Sequence, residues 1–203
     1  MAGGCHVKPR RVAALLAAPA LLLAGPAHAH LVETGFGAFY DGLAHVALTP
    51  SDLLLIVGLA LFAGQCGART ARFALFALPL AWFVGGLLGA AFPTDASLAV
   101  LTTLSFGVAG AQVALNARPP NGAVVAFVLV AGLLHGFVNG STIVVGASSL
   151  ALAGAATATF CLFAILTAQV TALSAGWTRI AVRVGGSWIA AAGLLMLGWL
   201  ARG

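Results

Sequence analysis

The chain has 203 residues, 62% hydrophobic and 6% charged, with mean hydropathy +1.10, whereas a soluble domain carries roughly 25% charged residues to keep its surface wet. Apolar runs of spanning length follow one another along the chain, so lipid replaces water as the solvent for most of this surface. The formal net charge of +5 does not indicate a nucleic acid partner: Lys8, Arg10 and Arg11 lie in the first segment, and the remaining arginines are scattered with no basic face interleaved with aromatics.

Residues 1–11 read as a basic n-region, Val12 to Gly25 as an apolar h-region and Ala27-His28-Ala29 as a small-residue cleavage site, the pattern of a secretory signal peptide. The h-region is interrupted by Pro19 and falls short of the ~20 apolar residues a span requires. The expected organisation is therefore a signal peptide over 1–29 and a single transmembrane domain over 30–203, with a short outer segment at 30–50. The fold class is all-α, a polytopic bundle of about six transmembrane helices in a bacterial inner membrane, with the mature N-terminus in the periplasm.

Runs of about 20 apolar residues predict helices near 51–67, 72–92, 96–116, 122–140, 148–173 and 181–201. Breakers separate them: Gly67 to Arg72, Pro93-Thr94-Asp95, Arg118-Pro119-Pro120-Asn121-Gly122, Gly140 to Ser149, and Ser174 to Arg179. With the N-terminus outside, the inner loops hold Arg69, Arg72, Arg118, Arg179 and Arg183, and the outer side only Arg202, which satisfies the positive-inside rule. The acids Glu33, Asp41, Asp52 and Asp95 all fall outside or at outer helix ends. Small residues at Gly85-Gly86-Gly89, Gly107-Gly110 and from Gly185-Gly186 to Gly193 are expected to let helix backbones approach closely. Gln65, Gln112 and Gln169 lie near inner helix ends and read chiefly as interhelical hydrogen-bonding groups. Cys66 and Cys161 read as structural thiols.

A polar residue inside a membrane span is expensive, so its position is a functional clue. The stretch from His30 to Asp52 gathers His30, Glu33, Asp41, His45 and Asp52 around Gly35-Phe36-Gly37-Ala38-Phe39-Tyr40. Asp41 and His45, four residues apart, share one face if residues 40–48 are helical. Thr49-Pro50-Ser51-Asp52 reads as a helix start with Thr49 as N-cap, Pro50 at N1 and Asp52 at N3, so Asp52 serves either as a capping carboxylate alone or as a cap and ligand together. His135 lies near the outer end of the fourth span with Asn139 on the same face, and is either a hydrogen-bonded structural group or a ligand at the depth of His45 and Asp52. Two imidazoles with several carboxylates suit nickel, cobalt or zinc, whereas copper(I) requires more sulfur than this chain offers. No G-x-S-x-G, H-E-x-x-H or G-x-x-x-x-G-K-[ST] pattern appears, so nothing indicates a hydrolytic enzyme or an ATP-driven pump.

Gly35 to His45 with Leu48 to Leu53, and Leu134-His135-Gly136-Phe137-Val138-Asn139-Gly140, resemble the HupE/UreJ group of small nickel and cobalt permeases and accessory proteins, and the likeness runs through the whole mature chain. The family pattern is H-P-x-x-G-x-D-H followed by H-G-x-x-H-G, whose His and Asp residues bind the metal. His45 and Asp52 resemble its first His and Asp with one extra residue between them; Val46 stands at the Pro and Leu53 at the second His. His135 matches the first His of the later motif, and Asn139 replaces the second, as in a divergent second subgroup.

The resemblance implies passive or gradient-driven transport of a divalent metal, nickel or cobalt before zinc, with candidate ligands His45, Asp52, His135, Asp41, Asn139, His30 and Glu33. No tightly bound cofactor is expected. The alternative is a non-transporting membrane accessory protein that assembles a metalloenzyme, with that maturation partner docking on the outer segment. The lipid bilayer and the metal ion are the expected partners, together with a second copy of the chain in a homo-oligomer.

Overall fold

The computed structural model describes residues 34–94, 96–142, 149–174 and 176–202; the expected signal peptide, His30, Glu33 and Asp95 lie outside the described residues. Among the described residues seven helices follow in order: α1 Ala38–Leu48, α2 Pro50–Gln65, α3 Ala68–Ala91, α4 Ala99–Ala114, α5 Asn121–Thr142, α6 Ser149–Ala172 and α7 Gly176–Leu200. No strand occurs among the described residues, as expected where lipid leaves the backbone no partner but itself.

α2 to α7 correspond to the six expected passes, and two clefts show that they alternate. One is lined by residues from the C-terminal ends of α2 and α6, the N-terminal part of α7, and the α2–α3 and α4–α5 connections. The other joins the start of α2, the α3–α4 connection, and the C-terminal parts of α5 and α7. Arg69, Arg72, Arg118, Arg179 and Arg183 therefore fall at one end of the bundle and Arg202 at the other. α3, α5, α6 and α7 are each long and apolar enough to cross a membrane; α1 and α2 qualify only as a pair bent by 73°. α4 is a shorter apolar helix of 16 residues, about 24 Å of rise.

The additional element is α1, which turns most of the expected outer segment at 30–50 into a helix laid against α6. The break at Thr49 has a local cause. Pro50 cannot donate a backbone hydrogen bond and restricts the residue before it to extended geometry, and Thr49 has φ −89° and ψ 108°. Thr49 occupies the N-cap position, but its hydroxyl does not cap α2; it donates to the His45 carbonyl at 2.7 Å, as does its own N–H at 2.9 Å, closing α1 instead.

α2 is the centre of the bundle. Leu55, Ile56, Leu59, Ala60, Phe62 and Ala63 are all buried, so this helix is apolar around its circumference because protein surrounds it. Outside it, α3 packs most extensively on α5, α4 on α7, and α1 on α6. The α3–α5 seam is made of glycines from both helices: a Cβ on Gly136 would overlap the Trp82 carbonyl oxygen, one on Gly140 the Gly86 carbonyl, and one on Gly89 the Phe137 carbonyl. The Gly132-Gly136-Gly140 ladder on α5 was not singled out in the sequence, although its four-residue spacing is the small-xxx-small signal.

A buried polar cluster as candidate site

Four helices place one polar cluster inside the apolar bundle. α2 contributes Asp52 from its first turn, α5 contributes His135 and Asn139 from one face, α4 contributes Ser105 and α3 contributes Trp82. Asp52 is 2% exposed, His135 1% and Asn139 4%.

Every polar contact in the cluster is short. The Asp52 Oδ1 to His135 Nδ1 distance is 2.7 Å, and Asn139 Nδ2 donates to Asp52 Oδ2 at 2.9 Å. A carboxylate only accepts, so this geometry puts a proton on Nδ1. On the other side of the ring, Ser105 Oγ lies 2.9 Å from Nε2 and 2.7 Å from the Thr102 carbonyl oxygen. Nδ1 is thus committed to Asp52, while Nε2 competes with the Thr102 carbonyl for the single Ser105 hydroxyl proton, and a cation reaches Nε2 by displacing that hydroxyl.

Asp52 sits where α2 starts afresh below the α1–α2 break, so the partial positive charge of the α2 N-terminus stabilises its carboxylate. A broken helix whose new N-terminus faces a buried polar group is the construction that many transporters use at their substrate sites. The expected capping carboxylate is thus present at N3, but both its oxygens are turned inward to α5. Asn139 does not end its helix, since α5 continues to Thr142; it joins His135 in gripping Asp52.

The Trp82 ring centroid lies 5.7 Å from that of His135, tilted by 41°, and the Trp82 Nε1–H is buried with no hydrogen-bond partner. Neither Ser105 nor Trp82 was selected from the sequence. Ser105 did carry a signal as a hydroxyl in the middle of an apolar run, and Trp82 as a tryptophan away from the span ends where such residues concentrate.

The other candidates are placed elsewhere. Asp41 Oδ1 accepts from the Thr34 amide at 2.6 Å and the Thr34 hydroxyl at 2.7 Å, which ties down the approach to α1. His45 is half-buried on α1. Among the described residues no group of three or more His, Cys, Asp and Glu side chains gathers at metal-holding distance, so His45 does not join Asp52 and His135. The physical reason is the bend, since α1 leaves the direction of α2 by 73° and packs mainly on α6.

The second of the two clefts, about 380 Å3 in volume, lies at the end opposite the five arginines. Its wall includes the hydroxyl residues Ser51, Thr94, Ser97, Thr102, Thr103 and Ser141 among apolar side chains. Ser51 adjoins Asp52, and the Thr102 carbonyl accepts from Ser105, so the cleft and the cluster are neighbours along α2 and α4, although no cluster residue lines the cleft itself.

An ionisable pair held by three helices inside an otherwise apolar bundle defines a polytopic membrane protein with an intramembrane polar site. More particularly, the chain belongs to the HupE/UreJ family: the family model described as HupE / UreJ protein matches residues 17–196. That family is associated with nickel and cobalt transport or accessory function. No curated protein and no solved structure shows a significant match to the chain.

Proposed function

We propose that this protein is a secondary or passive transporter of a divalent transition metal, nickel or cobalt before zinc, across a bacterial inner membrane. The observation that carries the proposal is the Asp52–His135–Asn139 cluster, a carboxylate, an imidazole and an amide buried at the break of a discontinuous helix. The ion is the substrate. It enters by the hydroxyl-lined cleft, exchanges water for Asp52 and His135 as the Ser105 contact opens, and leaves toward the arginine-rich end, which the positive-inside rule assigns to the cytoplasm. His45 and Asp41 belong to the outer approach, where imidazole and carboxylate groups raise the local cation concentration; His30 and Glu33, outside the described residues, precede them in the sequence and are candidates for the same role. A site with few protein ligands suits passage, since a closed tetrahedral site retains its metal.

The competing reading, an accessory protein that assists metalloenzyme assembly without flux, draws on the His135 ring, which has a protein group at each nitrogen. In it, the cluster is a polar packing centre and the ion never enters. Uptake of nickel or cobalt into proteoliposomes separates the two. Saturable uptake that is lost in Asp52→Asn and in His135→Ala combined with His45→Ala supports transport. Absence of uptake by the wild type, or uptake unchanged in these variants, removes this site from the mechanism.

A further inference from the structure

The first cleft, at the arginine-rich end, has a chemistry unrelated to the metal site. It is about 200 Å3 in volume, and its wall brings Arg118 from the α4–α5 connection and Arg179 from the first turn of α7 to the same space as Gln65. Among the described residues the carboxylates are Asp41 and Asp52. Both lie toward the other end of the bundle: Asp52 in the first turn of α2, Asp41 beside Gly42, which packs against Ala151 near the start of α6. The ion pair among the described residues is His135 with Asp52. Two arginines on separate elements thus line one concave space with no carboxylate among the described residues beside them. Gln65 Nε2 donates to the Val113 carbonyl at 3.4 Å, while its Oε1 is buried without a partner.

We infer that this cleft binds a phosphate-bearing anion. A guanidinium fork matches phosphate oxygens in pairs, and the volume admits a polyatomic group. At this end of a membrane bundle the phosphate has two sources: the headgroup of an anionic lipid such as phosphatidylglycerol, or free inorganic phosphate. Basic pockets between helix ends are where anionic headgroups settle.

The test uses the full chain in nanodiscs of phosphatidylcholine with and without phosphatidylglycerol, read by native mass spectrometry. A parallel arm titrates inorganic phosphate into the phosphatidylcholine nanodiscs and follows the melting temperature. The wild type is expected to retain phosphatidylglycerol about tenfold over phosphatidylcholine, a difference of about 1.4 kcal/mol, or to be stabilised by inorganic phosphate. Either response is expected to vanish in Arg118→Gln/Arg179→Gln, to weaken in Arg118→Lys/Arg179→Lys, which keeps the charge but not the fork, and to persist in Arg69→Gln/Arg72→Gln, which removes equal charge elsewhere. Wild-type protein that shows neither response overturns the inference, and so does a response that survives in Arg118→Gln/Arg179→Gln. Metal uptake plays no part in the readout, so this site and the metal site stand or fall separately.

Discussion

Replacing Asp52 with alanine removes one acceptor group and strands two buried donors, His135 Nδ1 at 2.7 Å and Asn139 Nδ2 at 2.9 Å. Interhelical hydrogen bonds in membranes average about 0.6 kcal/mol, because the helices unfolded in lipid also find partners, so two such bonds set a floor near 1.2 kcal/mol. Leaving a buried donor without its partner costs about 1–3 kcal/mol, and two stranded donors set the ceiling. The expected loss for Asp52→Ala is therefore about 2–4 kcal/mol. His135→Leu is nearly isosteric and leaves the carboxylate without its imidazole, so a similar loss is expected. The double variant removes both hydrogen-bonding partners together, and its cost is expected to fall short of the sum by at least about 1 kcal/mol. The assay is unfolding in mixed micelles followed by Trp82 fluorescence, since this indole is fully buried beside His135 while Trp177, Trp188 and Trp199 are exposed and replaceable by Phe. Losses that add to within about 0.5 kcal/mol would mean that the two side chains are not energetically coupled in the membrane, and the cluster would lose its standing as a unit.

Three further outcomes follow from the packing. Gly136→Leu drives a side chain into the Trp82 backbone and is expected to abolish folded, monodisperse protein on size exclusion, whereas Gly122→Ala meets nothing within 4 Å and is expected to be neutral or to stabilise by up to about 1 kcal/mol. Trp82→Phe keeps an aromatic ring beside His135 and deletes an N–H that has no partner, so its cost in the same unfolding assay should stay below about 1.5 kcal/mol; more than about 3 kcal/mol would contradict the unsatisfied indole. Burial pushes the Cys66 thiol up, against a smaller opposing pull from Arg118. Its thiolate is therefore scarcer at neutral pH than that of an ordinary thiol, and its maleimide labelling at about pH 7 should be slower than that of a free cysteine under the same conditions; Cys66→Ala identifies the labelled site.

The resemblance to HupE/UreJ proteins was legible in the motifs around His45–Asp52 and His135–Asn139, and the family assignment agrees with it. Gly85, Gly86 and Gly89 were correctly read as packing positions, but their partners on α5 were not named. Asp52, His135 and Asn139 were selected because ionisable and amide groups are conspicuous in apolar spans. His45 and Asp41 were grouped with them because all were expected on one side of the bilayer at one depth, and the bend at Thr49–Pro50 sends α1 to α6 instead. Ser105 carried the signal of a hydroxyl within an apolar run, but such hydroxyls ordinarily bond to their own helix, as Ser105 also does with Thr102, so that signal did not point to His135.

What the sequence determined by itself is the solvent, the passes and the charge asymmetry between the two ends of the bundle. Each of these is a property of short windows: about 20 apolar residues make a span and a breaker ends it. What only the tertiary structure decided is which distant groups meet. Asp52 reaches His135 across 83 residues and Asn139 across 87, and His135 reaches Ser105 across 30. Those distances depend on how closely glycine faces let α3 approach α5 and on the angle at which α2 breaks from α1. Both are set by contact between helices: glycine spacing marks a face that another helix can approach closely, but not which helix meets it or at what angle.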